Sequence, residues 1–316
     1  RPLLGWYDEG TPEVADWQIK WALEHGIQGF IYCWYRDGMT PVIRQRLGHA
    51  LEDGLLKARY RDRFKFVIMW ENGGAAARVT GRDDLVNNLF PFWMTNYFKH
   101  PSYVKIDNKP LLIVWVPGNV TRDLGAPEKV RASFDAMRDA CRREGFAGLH
   151  LVGCLSQASE AAQKRMAAEG WDASTAYGTA WESGKEAVRD PEGIATENHR
   201  LSLLSEEKVW RDKKAVGALP DIVSAMVSWD TRPWHGAKTS RYMSDVSPTN
   251  FKALLQRAKA LVDATPGGGL DKRVMVLDNW NEFGEGHFIE PTSGYGFGFL
   301  DAIKDVLCPG SAPCVD

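Results

Sequence analysis

The chain predicts a single (β/α)8 barrel. Short apolar runs alternate with amphipathic stretches eight times along its 316 residues, the pattern of βα units wound around a parallel sheet. Nearly every run ends in an aromatic residue beside Asp, Glu, Asn or Arg, and barrels keep their chemistry in the loops at the C-terminal ends of their strands. No linker divides the sequence, so residues 1–307 read as one catalytic barrel and 308–316 as a C-terminal tail. A doubly wound open sheet is the alternative architecture.

Composition narrows the field. Hydrophobic residues make up 44% of the chain, enough for a sizeable core. The 39 basic and 41 acidic side chains are well mixed and leave a formal net charge of −2, so no basic stripe invites nucleic acid. No apolar run approaches the roughly 18 residues of a membrane span. The opening Arg1-Pro2-Leu3-Leu4 lacks a charged-then-apolar leader and reads as a mature or trimmed domain, expected to be secreted or periplasmic and monomeric. Of the five cysteines, Cys33, Cys141 and Cys154 sit in apolar or helical contexts that suit buried thiols. Cys308 and Cys314 flank Pro-Gly-Ser-Ala-Pro, a small loop that a disulfide could close in an oxidising compartment.

Taken in order, Leu3 to Tyr7 reads as the first strand, and Glu13 to His25 as its helix, with Val14, Trp17 and Trp21 on one face. Thr11 and Pro12 suit an N-cap and first turn, and Gly26 stops the helix. Gly29 to Tyr35 is the second strand and Pro41 to Lys57 its helix; Phe64 to Trp70 is the third, followed by a helix from Asp83 to His100. Asp107-Asn108-Lys109 is turn chemistry between extended residues and predicts a small hairpin leading into a fourth strand, Leu111 to Val116. A helix at Pro127 to Glu144, a strand at Leu149 to Leu155, a helix at Glu160 to Glu169 and a short strand at Ser174 to Tyr177 follow. Gly178 to Leu219 reads as a long polar loop and then a helix around Asn198 to Ala215. Ile222 to Val227, a helix from Asn250 to Ala264, a strand at Val274 and a helix near Phe299 to Leu307 complete the count.

The chemistry concentrates after the last strand. In Asp278-Asn279-Trp280-Asn281-Glu282-Phe283-Gly284-Glu285-Gly286, two carboxylates stand three residues apart. Curled into a helical turn, Glu282 and Glu285 would share one face with Cβ atoms roughly 5–6 Å apart, a separation that can divide acid and base work on one sugar unit. Trp280 and Phe283 add apolar faces, Asn279 and Asn281 add amides, and Gly284 and Gly286 permit close backbone approach. The other strand ends repeat this mixture: Tyr7 and Asp8; Tyr35; Trp70, Glu71 and Asn72; Tyr177; Trp229, Asp230, Arg232 and Trp234. Aromatic faces beside hydrogen-bonding groups suit a carbohydrate, because a pyranose has an apolar C–H face and a rim of hydroxyls. Trp17, Trp21 and Trp93, at helical spacing, read instead as core. No cofactor or metal is expected: His-Glu-x-x-His is absent, and the seven histidines lack ligand spacing. Gly294-Tyr295-Gly296-Phe297-Gly298 does not have dinucleotide-binding spacing, and neither Ser156 nor Ser228 lies in Gly-x-Ser-x-Gly.

Asn281-Glu282-Phe283-Gly284-Glu285-Gly286, followed by Ile289-Glu290-Pro291, resembles the Asn-Glu-aromatic-x-Glu-Gly…Ile-Glu-Pro signature of glycoside hydrolase family 99 and its WbsX-like relatives. Leu4-Gly5-Trp6-Tyr7-Asp8, Gly26 to Phe30 with Trp34-Tyr35, and Trp229 to Trp234 agree in order, so the resemblance spans almost the whole chain. It implies a (β/α)8 barrel and a retaining glycosidase acting through a 1,2-anhydro sugar. Glu282 would be the base on the substrate 2-hydroxyl, and Glu285 the acid to the leaving oxygen and then the base for water. Tyr7, Asp8, Tyr35, Trp70, Glu71, Asn72, Tyr177, Trp229, Asp230, Arg232, Trp234, Asn281 and Glu290 would line the substrate subsites. In the mannosidases a tyrosine assists the second glutamate from a Gly-Tyr-Asp-Asp-Thr-like stretch, where this chain has Trp229.

Two other classes compete. Some relatives are labelled glycosyltransferases, although the sequence has no Asp-x-Asp or basic cradle for a nucleotide diphosphate. A non-catalytic carbohydrate-binding barrel would keep the aromatic lining without a titrating glutamate.

Overall fold

The computed structural model describes residues 1–178 and 188–310. Its centre is a run of parallel strands in chain order: β1 (Gly29–Arg36), β2 (Lys65–Trp70), β3 (Lys109–Val114), β4 (His150–Cys154) and β5 (Ala173–Thr175). An isolated parallel bridge from Ser174 to Asp221 leads to β6 (Ser224–Met226), which pairs in parallel with β7 (Val276–Asp278). The register sorts the side chains. Cys33, Met69, Ile113 and Val152 are successive partners on the inner face, whereas Trp34, Trp70, Val114 and Gly153 are successive partners on the helix-facing side. At Gly153 a Cβ would come within 2.6 Å of Met166 and Pro117, so this position lets a helix settle onto the sheet.

One expected strand does not join the arc. Leu3 to Tyr7 forms no ladder: Gly5 adopts φ +79°, Leu3 N–H bonds Pro291 O at 2.9 Å, and Pro2 bridges Thr292. The left-handed turn at Gly5 carries this segment over the loop that follows β7. Among the described residues, the facing edges of β1 and β7 are therefore not joined, and the ladders trace an open arc instead of a closed circuit of eight. Gly29–Ile31 and Val274–Asp278 both line an interior cavity of about 700 Å³.

Helices cover the outer face. α1 (Pro12–Glu24) begins with Pro12 in its first turn, ends before Gly26 at φ +87°, and buries Ile19, Trp21 and Ala22 while Trp17 stays 49% exposed. Trp17 is thus a surface residue and not the core residue its spacing suggested. A second correction concerns Pro41 to Lys57. Gln45–Arg46 pairs antiparallel with the end of β1, Leu47 has φ +56°, and only a π-turn at Ala50–Gly54 and a 3₁₀ turn at Leu55–Lys57 are helical. The helix expected from Asp83 to His100 exists, but wide π-type turns flank a short α segment, Phe90–Trp93, that contains Pro91. Proline cannot donate to the helical ladder, and widened turns accommodate it. The hairpin before β3 has Asp107 and Asn108 both at positive φ, as a type I′ turn requires.

Two apolar cores result. The larger lies around β1–β5, where Trp34, Trp70 and Trp93 are almost wholly buried and pack ring to ring. The smaller joins Val223, Ala225 and Val227 to Phe251, Leu254, Phe299 and Ile303. Arg36, which ends β1, is buried and holds Asp84 through two hydrogen bonds of 2.7 and 2.8 Å while also donating to the carbonyls of Arg78 and Thr40. Burial alone would raise the Asp84 pKa, but Arg36, Thr80 N–H and Asn88 bring it to about 2. No helix among the described residues is long and apolar enough to cross a membrane. The expected Cys308–Cys314 closure falls partly on residues outside those described, as does much of the polar loop after Gly178.

Candidate active site

The segment after β7 folds as a tight hairpin, not the helical turn the spacing suggested. Asn281–Glu282 pairs antiparallel with His287–Phe288, and Phe283–Glu285 is a 3₁₀ turn closed by Gly286 at φ +56°. Two contacts from the chain after β6 pin it: Asp230 N–H to Glu285 O at 2.6 Å and Ser228 Oγ to Gly286 O at 2.6 Å. A Cβ at Gly284 would lie 1.8 Å from the Trp234 indole nitrogen, so only glycine lets Trp234 cover the turn.

Glu282 and Glu285 face one acidic space. Burial, and then the charges of Glu285 and Glu9, raise the Glu282 carboxyl above its ordinary value. The Tyr177 hydroxyl donates to Glu285 Oε2 at 2.7 Å and accepts from Asn279 Nδ2 at 3.2 Å. Burial, Asp278 and Glu285 push the Tyr177 phenol far up, so it stays a donor. Beneath it Asp278 is buried. Its Oδ2 accepts the Gly178 N–H at 2.6 Å, and burial raises its pKa against the opposing effects of His287 and that N–H. His287 Nε2 lies 2.7 Å from Asp278 O, and its ring meets Tyr177 on one side and Trp229 on the other. Burial and the nearby Asp278, Glu282 and Glu71 charges push the Cys33 thiol on the inner face of β1 up to about 12.

A second network braces the hairpin from below. Tyr7 Oη donates to Glu290 Oε2 at 2.6 Å and accepts from Gln18 Nε2 at 3.0 Å and Asn281 Nδ2 at 3.2 Å. Asn281 also donates to Glu9 at 3.0 Å. Burial raises the Glu290 pKa to about 7, against the lowering effect of its bonds to Tyr7 and Gln18.

The expected lining residues divide into three groups. Tyr35, Glu71, Tyr177 and Asn281 lie beside the carboxylates: Tyr35 is raised by burial and by the Cys33, Glu71 and Glu282 charges, and Glu71 also accepts Gly73 N–H. Trp229, Asp230, Arg232 and Trp234 form the wall from the β6 side. There Arg232 is chelated by Asp230 at 2.7–3.1 Å and stacks 3.5 Å from the Tyr242 ring centroid. Trp70, Asn72, Asp8 and Glu290 are not brought to the open space. Strand alternation puts Trp70 on the helix side, 1% exposed, with its indole N–H on Ala77 O. Asn72 is fully buried and splints Val116 and Asn119. Asp8 points to solvent and accepts Gly10 N–H, and Glu290 is 1% exposed beneath Tyr7. Glu9, Asp278, His287 and Trp115, whose ring meets Tyr177 edge-on at 4.9 Å, also surround the carboxylates but were not among the expected lining residues. Glu9 directly follows the expected Tyr7-Asp8 pair, and Asp278 opens the very segment that was singled out.

Residues 2–303 match the family described as Glycosyltransferase WbsX. Two curated relatives, both called "Uncharacterized protein WxcX" and from two strains of Xanthomonas campestris pv. campestris, are 24% identical over 322 residues. That alignment takes in 96% of this chain, which spans only 42% of the length of each relative. Among solved structures, the GH99 endo-alpha-mannosidase from Bacteroides thetaiotaomicron superposes with a TM-score of 0.59 at 17% identity over 97% of this chain and 82% of that one. A second structure of it, in complex with bis-tris-propane, gives 0.61 at 16% identity, covering 97% and 87%. The chain belongs to the WbsX family, and its fold is similar to that of the Bacteroides thetaiotaomicron GH99 enzyme.

Proposed function

We propose that this protein is a retaining glycoside hydrolase that uses Glu282 and Glu285 as its catalytic pair on a polysaccharide or oligosaccharide. The observation that carries the proposal is the placement of both carboxylates on one hairpin, Glu282 in its first strand and Glu285 in its turn, with Tyr177 donating to Glu285 at 2.7 Å. A raised pKa makes Glu282 the stronger base for a sugar 2-hydroxyl. As Glu282 takes that proton, O2 closes on C1 and the C1–oxygen bond to the leaving sugar breaks, with Glu285 protonating the departing oxygen. Glu285 then takes a proton from water as its oxygen attacks C1, the C1–O2 bond of the anhydro sugar breaks, and the proton on Glu282 returns to O2. Tyr177 supplies the phenolic hydrogen bond to the second glutamate from the end of β5, a different place from the Trp229 position. We also read the open arc as a (β/α)8 barrel. The likeness to the family 99 structures supports this, as do the β1 and β7 edges facing a common cavity.

The family's description favours a second reading, glycosyl transfer in polysaccharide assembly. Product analysis separates the two. The wild type, Glu282→Gln and Glu285→Gln are incubated with mannans, rhamnans, fucans, arabinans and pectic fragments, alone and with nucleotide sugars. The expected result is a defined product released by wild type without any nucleotide sugar, reduced by about 10²–10⁴-fold in either variant. Products that form only with a nucleotide sugar would establish transfer instead.

A further inference from the structure

Trp6 is 75% exposed and Trp234 59% exposed, unusual surfaces for the largest apolar side chain. Both rest on the hairpin that carries Glu282 and Glu285. The Trp6 ring meets Phe283 edge-on at 6.3 Å, and Trp234 lies over Gly284. From Phe283 the ring contacts continue to Phe288 at 4.7 Å and to Tyr295 at 6.4 Å, and Tyr295 is itself 38% exposed. Tyr295 belongs to the Gly-Tyr-Gly-Phe-Gly segment that the catalytic reading leaves without a role.

We propose that this aromatic ledge, outside the carboxylate site itself, is a further subsite for a run of sugar residues, so that the protein holds a polysaccharide chain across the hairpin. The inference rests on the carbohydrate reading above. Three features favour a glycan. Trp6, Trp234 and Tyr295 are exposed, while Phe283 and Phe288 link Trp6 to Tyr295 as a partly buried base, so the series offers ring surface to solvent. The ledge is continuous with the carboxylate site through the hairpin. Polar groups flank it, with Asn281 and Glu9 beside Tyr7. A pyranose stacks its C–H face on such rings while its hydroxyls reach the polar edge.

The test uses the full chain carrying Glu285→Gln, run in native gels containing soluble mannan, galactan, arabinan, xylan or dextran. At least one polymer should retard it. Adding Trp6→Ala or Tyr295→Ala should weaken that retention by about fivefold, close to 1 kcal/mol, the size of one aromatic stacking contact. Trp17→Ala, which removes an exposed tryptophan outside the ledge, should leave retention unchanged. Retention indifferent to Trp6 and Tyr295 would overturn the proposal, and so would no retardation by any polymer. A dimer in sedimentation that Trp6→Ala dissolves would also overturn it, because the ledge would then be an interface between copies. Ledge-dependent retention without cleavage by wild type would refute the hydrolase and leave the subsite standing; cleavage with ledge-independent retention would do the reverse.

Discussion

The two halves of the sheet handle charge in opposite ways. Around β1–β5 the strands pair in one unbroken series and the core is dense with tryptophan and phenylalanine; the buried ion pair Arg36–Asp84 there lowers a carboxylate to about 2. Around β6, β7 and the hairpin the strands pair only two by two, and Glu206, Asp221, Asp278, Glu282 and Glu290 are all raised by burial. A raised carboxylate costs stability when ionised, whereas a lowered one contributes it. The first half holds its buried charge as a pair, whereas the second keeps carboxylates whose ionisation costs stability, an imbalance that the proposed chemistry would use.

The largest expected effect breaks the paired side. Arg36→Ala leaves Asp84 buried without its partner and should cost about 3–5 kcal/mol in urea unfolding at pH 7. The sign follows from the lowered pKa: the pair's contribution is complete above the unfolded value near 4 and vanishes as pH falls through about 2, so the gap between wild type and variant should close in acid. A variant as stable as wild type at neutral pH would remove Arg36 from the account.

Glu290 should behave with the opposite sign. Its folded pKa of about 7 exceeds the ordinary carboxylate value, so its contribution is complete below about pH 4 and is lost as pH rises through 7. Glu290→Gln keeps an acceptor for Tyr7 and cannot ionise. Over that window it should flatten a decline of about 3 kcal/mol, measured by denaturation at several pH values. An unchanged slope would place the titration elsewhere. At the small end, Trp17→Ser should change stability by only about 0.5 kcal/mol, because the side chain is half exposed; a loss of several kcal/mol would mean that its helix-spacing reading as core was right.

Much of this could be read from the chain because local signals were strong. Helix Glu160–Glu169 and the Asp107–Asn108 hairpin follow from capping and turn chemistry. The Glu282/Glu285 segment stood out because two carboxylates, two glycines and two aromatics shared one loop. What was not legible depended on tertiary context. The Leu3–Tyr7 run looks like a strand until Gly5 turns left-handed, and the Pro41–Lys57 run looks helical until Gln45–Arg46 joins the sheet and Leu47 turns left-handed. Trp70 and Glu71 are adjacent in sequence but point to opposite faces of the sheet, so an equal claim for both had to fail for one. Tyr177 meets Glu285 across 108 residues, a pairing no local pattern encodes.

The measurement that bears most directly on the carboxylate pair is a pH titration of the Glu282 side-chain carbon by NMR, in wild type and in Glu285→Gln. The geometry predicts a wild-type midpoint above the ordinary glutamate value that falls when the Glu285 charge is removed. An ordinary midpoint, indifferent to residue 285, would mean that the two glutamates do not act together.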